Sequence, residues 1–146
     1  MLICGSASAG SSNGAETLAR RTEANSLVGT SLKCAVQPPG TLNYQEYYCG
    51  PSIPSNGYTI AYKVFAPAGG QYSYQWQVPH VQFQGIAAGC TATTNFCTLK
   101  VPKVGRDVEN EITVTVTDLS NGARISSYAD YSIPATCIWV TGYVWC

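Results

Sequence analysis

Few side chains in this chain have the chemistry that acid–base catalysis requires. His80 is the only histidine, and it lies between Pro79 and Val81 with no Gly-x-Ser-x-Gly motif or other activated nucleophile in the sequence. A histidine in this setting is typical of a structural or solvent-facing residue. The sequence therefore predicts no catalytic residue and a protein that is not an enzyme.

A group of carboxylates, close together in the sequence, is the second candidate for chemistry. Its members are Asp107, Glu109, Glu111 and Asp118. On a strand, alternation puts Glu109 and Glu111 on one face. A glycosidase pair needs carboxyl groups about 5–9.5 Å apart across a sugar cleft, and flat strands rarely supply such a cleft. Two interpretations remain, a calcium site at one pole of the domain or ordinary solvated acids; we expect no metal and no other cofactor.

The chain has seven cysteines, which indicate an oxidising compartment. No two of them form a Cys-x-x-Cys motif and there is a single histidine, so the ligand spacing of a zinc site is missing. Export with disulfide formation is the economical alternative. Proximity favours the pairs Cys34–Cys49, Cys90–Cys97 and Cys137–Cys146, and we expect such short links to hold hairpins rather than to join sheets. Cys4 is left over, either unpaired or as an intermolecular crosslink.

Composition argues against several classes of partner. Charged residues make up 11% of the 146 residues and the formal net charge is zero, less than half of the ~25% charge usual in globular proteins. Such a surface has no phosphate-binding stripe, so we expect no nucleic acid partner. No apolar run reaches the ~18–20 residues of a membrane span. The absence of an Asn-x-Ser/Thr acceptor favours a bacterial source.

Strict alternation of apolar and polar residues predicts the fold. It is clearest over residues 58–64, 72–78 and 112–117, and it is typical of antiparallel strands with one dry face. Further strands are expected over residues 31–36, 44–49, 81–86, 97–101 and 124–131, with a last hairpin over 137–146. We predict a leader over residues 1–25 and one domain over 26–146. This domain is an immunoglobulin-like antiparallel β-sandwich of about seven to nine strands with a disulfide-stapled hairpin at each end; a barrel is the alternative.

Aromatic residues are in excess outside the expected core. They fall in the first and last hairpins, as Tyr44, Tyr47, Tyr48, Trp139, Tyr143 and Trp145. Alternation along the chain puts the last three on one face, opposite Ile138, Val140 and Val144. Both faces of the last hairpin are then apolar, so it is covered either by the rest of the chain or by another molecule. These six aromatic residues are the candidate binding residues.

Three segments resemble PKD-like and related bacterial immunoglobulin-like domains. They are Gly69-Gly-Gln-Tyr-Ser-Tyr-Gln-Trp-Gln-Val78, Gly89-Cys90 with Cys97-Thr-Leu-Lys-Val101, and Glu111-Ile-Thr-Val-Thr-Val-Thr-Asp118. The resemblance covers about residues 57–135 and implies a spacer, adhesive unit or accessory module of an exported protein. After Trp76 the acidic turn of PKD domains is replaced by Gln77-Val-Pro-His80, so properties tied to that turn do not carry over.

The sequence as a whole favours a secreted, non-catalytic structural or adhesive module that acts through surface contact and self-association. Its expected partners are copies of itself in a filament or multimer completed by strand addition, or a protein or glycan of a cell surface. The alternative, from a different class, is a carbohydrate-binding accessory module that uses the candidate aromatic residues.

Overall fold

The computed structural model describes residues 26–40, 42–102 and 105–146. The predicted leader over 1–25 lies outside this part, and Cys4 with it. The described residues contain eleven strands and no helix. The prediction of an all-β protein is confirmed.

The strands alternate with short turns along the described chain. In order they are β1 (Ser31–Gln37), β2 (Gln45–Glu46), β3 (Tyr48–Cys49), β4 (Gly57–Phe65), β5 (Tyr72–Gln77), β6 (Gly85–Gly89), β7 (Phe96–Pro102), β8 (Val108–Asp118), β9 (Arg124–Ile133), β10 (Thr136–Trp139) and β11 (Gly142–Trp145). They form a five-stranded sheet in the order β2-β1-β4-β7-β6, a four-stranded sheet in the order β3-β9-β8-β5, and the two-stranded sheet β10-β11. All pairs are antiparallel except β3 with β9, which is parallel.

The inner faces of the two larger sheets form one hydrophobic core. Ile60 and Leu99 contribute from the five-stranded sheet, and Ile112, Val114 and Tyr131 from the four-stranded sheet, all fully buried. Burying an aliphatic side chain of this size stabilises the fold by about 1.5–3 kcal/mol. Because both inner faces meet in this core, the outer faces of the two sheets point away from each other.

The segment over residues 44–49 does not form the single strand predicted for it. Tyr47 has a φ of 65°, in the left-handed region that non-glycine residues rarely adopt. The chain therefore leaves the five-stranded sheet after β2 and enters the four-stranded sheet at β3. The expected disulfide-stapled hairpin at this end is thus wrong.

This change of sheet gives the first disulfide a role that the sequence did not predict. Cys34 lies on β1 and Cys49 on β3, and their bond joins the two larger sheets through the core. Our expectation that short links do not join sheets is wrong for this pair. The Cys137–Cys146 bond does staple the last hairpin, and Cys90–Cys97 closes the loop between β6 and β7.

The loop closed by Cys90–Cys97 also bridges the two larger sheets. Its carbonyl oxygens accept hydrogen bonds from the backbone N–H of Val64 on β4 at 2.8 Å and of Tyr74 on β5 at 3.0 Å. The indole Nε1 of Trp76 donates to the Thr94 carbonyl at 3.1 Å. The loop therefore covers part of the free edge of β5.

The strand predicted over residues 81–86 begins later than expected. Gln84 donates its backbone N–H to the Val81 carbonyl at 3.3 Å, which forms a turn, and Phe83 has a φ of 69°. The strand β6 starts only at Gly85, because a residue with this φ cannot continue an extended chain.

Candidate interaction surfaces

The register of the β10–β11 hairpin decides which aromatic residues share a face. Ile138 lies opposite Tyr143, and Trp139 lies opposite Gly142. Residues opposite each other on antiparallel strands share a face, so Trp139 lies on the other face from Tyr143 and Trp145. The prediction that these three aromatic residues share one face is wrong, because a two-residue turn pairs odd-numbered with even-numbered positions.

The base of the hairpin is anchored to the core. The Trp145 ring stacks on Tyr58 with centroids 6.5 Å apart and an interplanar angle of 13°. Thr136 is buried, with its Oγ1 3.5 Å from the Tyr58 hydroxyl. The Ala135 N–H donates to Asp107 Oδ1 at 2.7 Å. Asp107, one of the four carboxylates considered in the sequence, thus fixes the backbone just before the hairpin begins.

The far end of the hairpin is apolar and exposed. Ile138 is 71% exposed, Trp139 66% and Val140 97%; we call these three residues the hairpin tip. Residues 134–146 contain no charged side chain. Ile138 and Trp139 lie on opposite faces of the hairpin, so the tip exposes apolar side chains on both faces. Exposed apolar surface is typical of sites that contact another molecule.

The three tyrosines of the first candidate set have different neighbours. Tyr44 packs edge-on against Phe65 with centroids 5.7 Å apart, and partial burial raises the pKa of Tyr44. Tyr47 lies beside Tyr128 on the four-stranded sheet, with centroids 6.1 Å apart. Tyr48 lies opposite Asp130. Tyr47 and Tyr48 are exposed and accessible to a ligand. Tyr44 instead lies against Phe65 of the five-stranded sheet.

Carboxylates gather at one end of the outer face of the four-stranded sheet. Glu111 lies directly opposite Asp130, which is half-buried and whose Oδ1 has no hydrogen-bond partner among the described residues. Glu109 shares their face opposite Ser132. We call Glu109, Glu111 and Asp130 the acidic face. Together with Tyr48 they line a cleft of about 310 Å³. Among the described residues, no group of three or more acidic, cysteine or histidine side chains is arranged to hold a metal ion.

Asp118 lies at the other end of β8 and serves the turn that follows. It is buried, and its Oδ1 accepts hydrogen bonds from the backbone N–H of Ser120 at 2.8 Å and from the Ser120 hydroxyl at 2.6 Å. These hydrogen bonds stabilise the ionised form, so they lower the pKa of Asp118. His80 is exposed in the segment between β5 and β6.

The outer face of the five-stranded sheet carries a basic group that sequence reasoning missed. Lys33 lies directly opposite Lys63, and both ammonium groups lie over the Phe65 ring, 5.3 Å and 5.4 Å from its centroid. Lys33 also forms an ion pair with Glu46 at 3.0 Å. Lys100 lies on the same face, opposite Thr59. We call Lys33, Lys63 and Lys100 the lysine face; only the pairing of β1, β4 and β7 brings residues so distant in sequence together.

A second open cleft lies where β1, β4 and β7 end. Its volume is about 620 Å³, and Gln37, Asn56, Tyr58 and Lys100 are among the residues that line it. None of the six candidate aromatic residues lines it. The structure therefore does not bring the predicted binding residues into this cleft.

Two buried tyrosines differ in how their hydroxyl groups are satisfied. The Tyr131 hydroxyl donates to Gln84 Oε1 at 2.6 Å. The Tyr62 hydroxyl has no hydrogen-bond partner among the described residues. Burial raises the pKa of both groups, and for Tyr62 the nearby Tyr131 and Asp130 raise it further.

Comparison with known proteins does not assign the chain to a family. No family model, curated protein or solved structure matches it. In the part of the chain that the structure describes, no helix has the length and hydropathy to cross a membrane.

Proposed function

We propose that this protein is a secreted, non-catalytic structural or adhesive module that acts through surface contact and self-association. The hairpin tip carries this proposal: Ile138, Trp139 and Val140 are all exposed at the end of a hairpin whose base is anchored to the core. A disulfide between Cys137 and Cys146 holds the hairpin strands together. An apolar surface that is already ordered loses little conformational entropy when it binds.

The architecture supports the remaining parts of this proposal. Three disulfides in the described chain suit an oxidising, extracellular compartment. Two sheets around one core are compatible with an immunoglobulin-like sandwich related to the PKD-like domains of bacterial cell-surface proteins.

Strand addition has an acceptor at the edge of the five-stranded sheet. The strand β6 is the last strand of this sheet and has the sequence Gly-Ile-Ala-Ala-Gly, without a charge. Lysine and other charges usually protect such edges. A bulge between Ile86 and Ala88 interrupts the pairing of β6 with β7, so an added strand would pair with only a few residues.

Light scattering of the oxidised protein at rising concentration tests self-association through the hairpin tip. We expect an average mass that grows with protein concentration. This growth should persist in about 0.5 M salt, where interactions between exposed charges are screened. The double substitution Trp139→Ser, Val140→Ser should keep the protein monomeric in this high-salt buffer. The control Val28→Ser, Leu119→Ser removes exposed apolar residues elsewhere and should leave the association unchanged. A wild-type protein that stays monomeric throughout would rule out the proposed role.

Binding to carbohydrate is the second candidate function, and the cleft beside Tyr48 favours it. The exposed Tyr48 ring there adjoins the carboxylates of the acidic face, and sugar recognition combines aromatic stacking with hydrogen-bond acceptors. Retention on immobilised glycans should fall when Tyr47 and Tyr48 are replaced by Ala. If the Trp139→Ala variant is retained as strongly as the wild type, the sugar binds at the cleft rather than at the hairpin tip. Unchanged retention in all three variants would eliminate this function.

A further inference from the structure

We infer that the lysine face of one copy docks on the acidic face of a second copy, in a head-to-tail contact that can propagate into a filament. This inference rests on the proposed self-association and names a second interface for it. The occupant of each face is thus another copy of this chain. The hairpin tip is not part of this contact.

Both faces contain a pair of like charges that costs stability in an isolated molecule. Lys33 lies directly opposite Lys63 across β1 and β4, and Glu111 lies directly opposite Asp130 across β8 and β9. Cα atoms at such positions are only about 4.5–5.5 Å apart, and like charges opposite each other are unfavourable.

Within one molecule these charges are poorly compensated. Among the described residues, the one ion pair joins Lys33 to Glu46. Neither Lys63 nor Glu111 has an opposite charge at salt-bridge distance there. The lysine face keeps a net positive charge after this pair, and the acidic face is negative.

The two faces complement each other in charge but cannot meet within one molecule. They lie on the outer faces of two sheets whose inner faces share the core, so they point in opposite directions. A contact between two different faces is heterologous, and each added copy presents a new free face. The formal net charge of zero lets copies approach one another without overall repulsion.

Charge reversal on each face gives two variants that test this contact. The first is Lys63→Glu, Lys100→Glu and the second is Glu109→Lys, Glu111→Lys. Both variants are made in the Trp139→Ser, Val140→Ser protein, in which the hairpin tip no longer associates. Each variant alone has two faces of the same sign, so we expect its low-salt association to need at least about tenfold more protein than that parent protein. A one-to-one mixture of the two variants should associate again, because every copy then meets a partner of opposite charge.

A matched control separates this contact from a general effect of net charge. The variant Arg106→Glu, Arg124→Glu has the same net charge as the first variant but keeps the lysine face, and it should associate like the parent protein. Circular dichroism should show that each variant is folded. If a reversal prevents folding, the neutral forms Lys63→Gln, Lys100→Gln and Glu109→Gln, Glu111→Gln are used, with a smaller loss expected.

Light scattering at low and high salt separates the possible outcomes. The head-to-tail contact is overturned if a variant of either face associates at low salt as well as the protein with both faces intact does. It is also overturned if the mixture of the two variants stays dispersed. If association is unaffected by the face variants but persists at high salt and depends on Trp139, only this inference fails. If the wild type does not associate at any salt concentration, the proposed function fails as well.

Discussion

The β8–β9 pair and the β10–β11 hairpin are built from similar residues and end up in opposite environments. In β8, Ile112, Val114 and Val116 are fully buried while the threonines between them face outward. In β11 every residue is exposed, although Tyr143, Val144 and Trp145 are all apolar or aromatic. Both regions are rich in β-branched and aromatic residues, which favour strands, and they differ in their packing against the core.

This difference shows where stability and contact with other molecules are located. The strands β8 and β9 pair over ten positions and supply the core. The hairpin pairs over four positions and contacts the core through its base, at Thr136 and Trp145. We therefore expect substitutions in the first region to change folding, and substitutions at the hairpin tip to change contacts with other molecules.

The largest difference is expected between two isoleucines. Ile112→Ala creates a cavity in the core and should lower the free energy of unfolding by about 2–5 kcal/mol. Ile138→Ala, at the exposed tip, should change it by less than about 0.5 kcal/mol. Urea denaturation of both variants measures this difference. Similar losses in the two variants would mean that the hairpin is part of the folding core.

The disulfides provide the same comparison for crosslinks. Replacing Cys34 and Cys49 by Ala opens a link with a sequence separation of 15 and should cost about 3 kcal/mol, as the chain-entropy model gives for a loop of this size. Replacing Cys137 and Cys146, with a separation of 9, should loosen the hairpin with a smaller effect on global unfolding, because the core does not depend on it. Thermal denaturation monitored by Trp fluorescence and by circular dichroism distinguishes local from global loss. An equal decrease in melting temperature would contradict this account.

Two buried tyrosines allow a finer test within the core. Tyr131→Phe removes a hydrogen bond to Gln84 and should cost about 1 kcal/mol. Tyr62→Phe removes a buried hydroxyl that has no partner among the described residues, and it should be neutral or stabilising by up to about 1 kcal/mol. Denaturation at pH 7 measures both. A loss in Tyr62→Phe as large as that in Tyr131→Phe would show that the Tyr62 hydroxyl is satisfied in solution.

The smallest effect concerns acid stability at the end of β8. The pKa of Asp118 is lowered in the folded state. Its carboxylate therefore stabilises the fold above the ordinary aspartate pKa of about 3.9, and this stabilisation is lost as the pH falls below that value and through the lower pKa of the folded state. Ser120→Ala removes one of the hydrogen bonds to Asp118, so the melting temperature should fall less steeply between about pH 5 and pH 2. Ser126→Ala, which affects a hydrogen bond between hydroxyl groups, is the control. An unchanged pH profile in Ser120→Ala would contradict this role of Asp118.

Sequence patterns predicted the strands that alternate cleanly and failed where the chain changes direction. The strands β4, β5 and β8 follow from alternation because one face is buried and the other is not. The division of residues 44–49 depends on the left-handed conformation of Tyr47, which its residue type does not indicate. The pairing partner of Cys34 could be predicted from proximity, but the sheet on which Cys49 lies could not.

The candidate surfaces were predicted less well than the fold. The excess of aromatic residues pointed to the last hairpin, and Trp139 is indeed exposed at its tip. Which residues share a face of that hairpin depends on the length of its turn. Alternation of apolar and polar residues along the chain does not give this length. The lysine face depends on pairing between β1 and β4, whose residues are far apart in sequence, so local patterns give no sign of it.

Hydroxyl-radical footprinting of dilute and concentrated protein tests the central claim most directly, because it reads the exposure of Trp139 in solution. The account predicts that Trp139 and Val140 react readily in dilute protein and become protected as the concentration rises, while Leu119, which is also exposed on another turn, reacts to the same extent in both. Protection of Trp139 already in dilute protein, or equal reactivity at every concentration, would contradict the claim that the hairpin tip is a surface for contact between molecules.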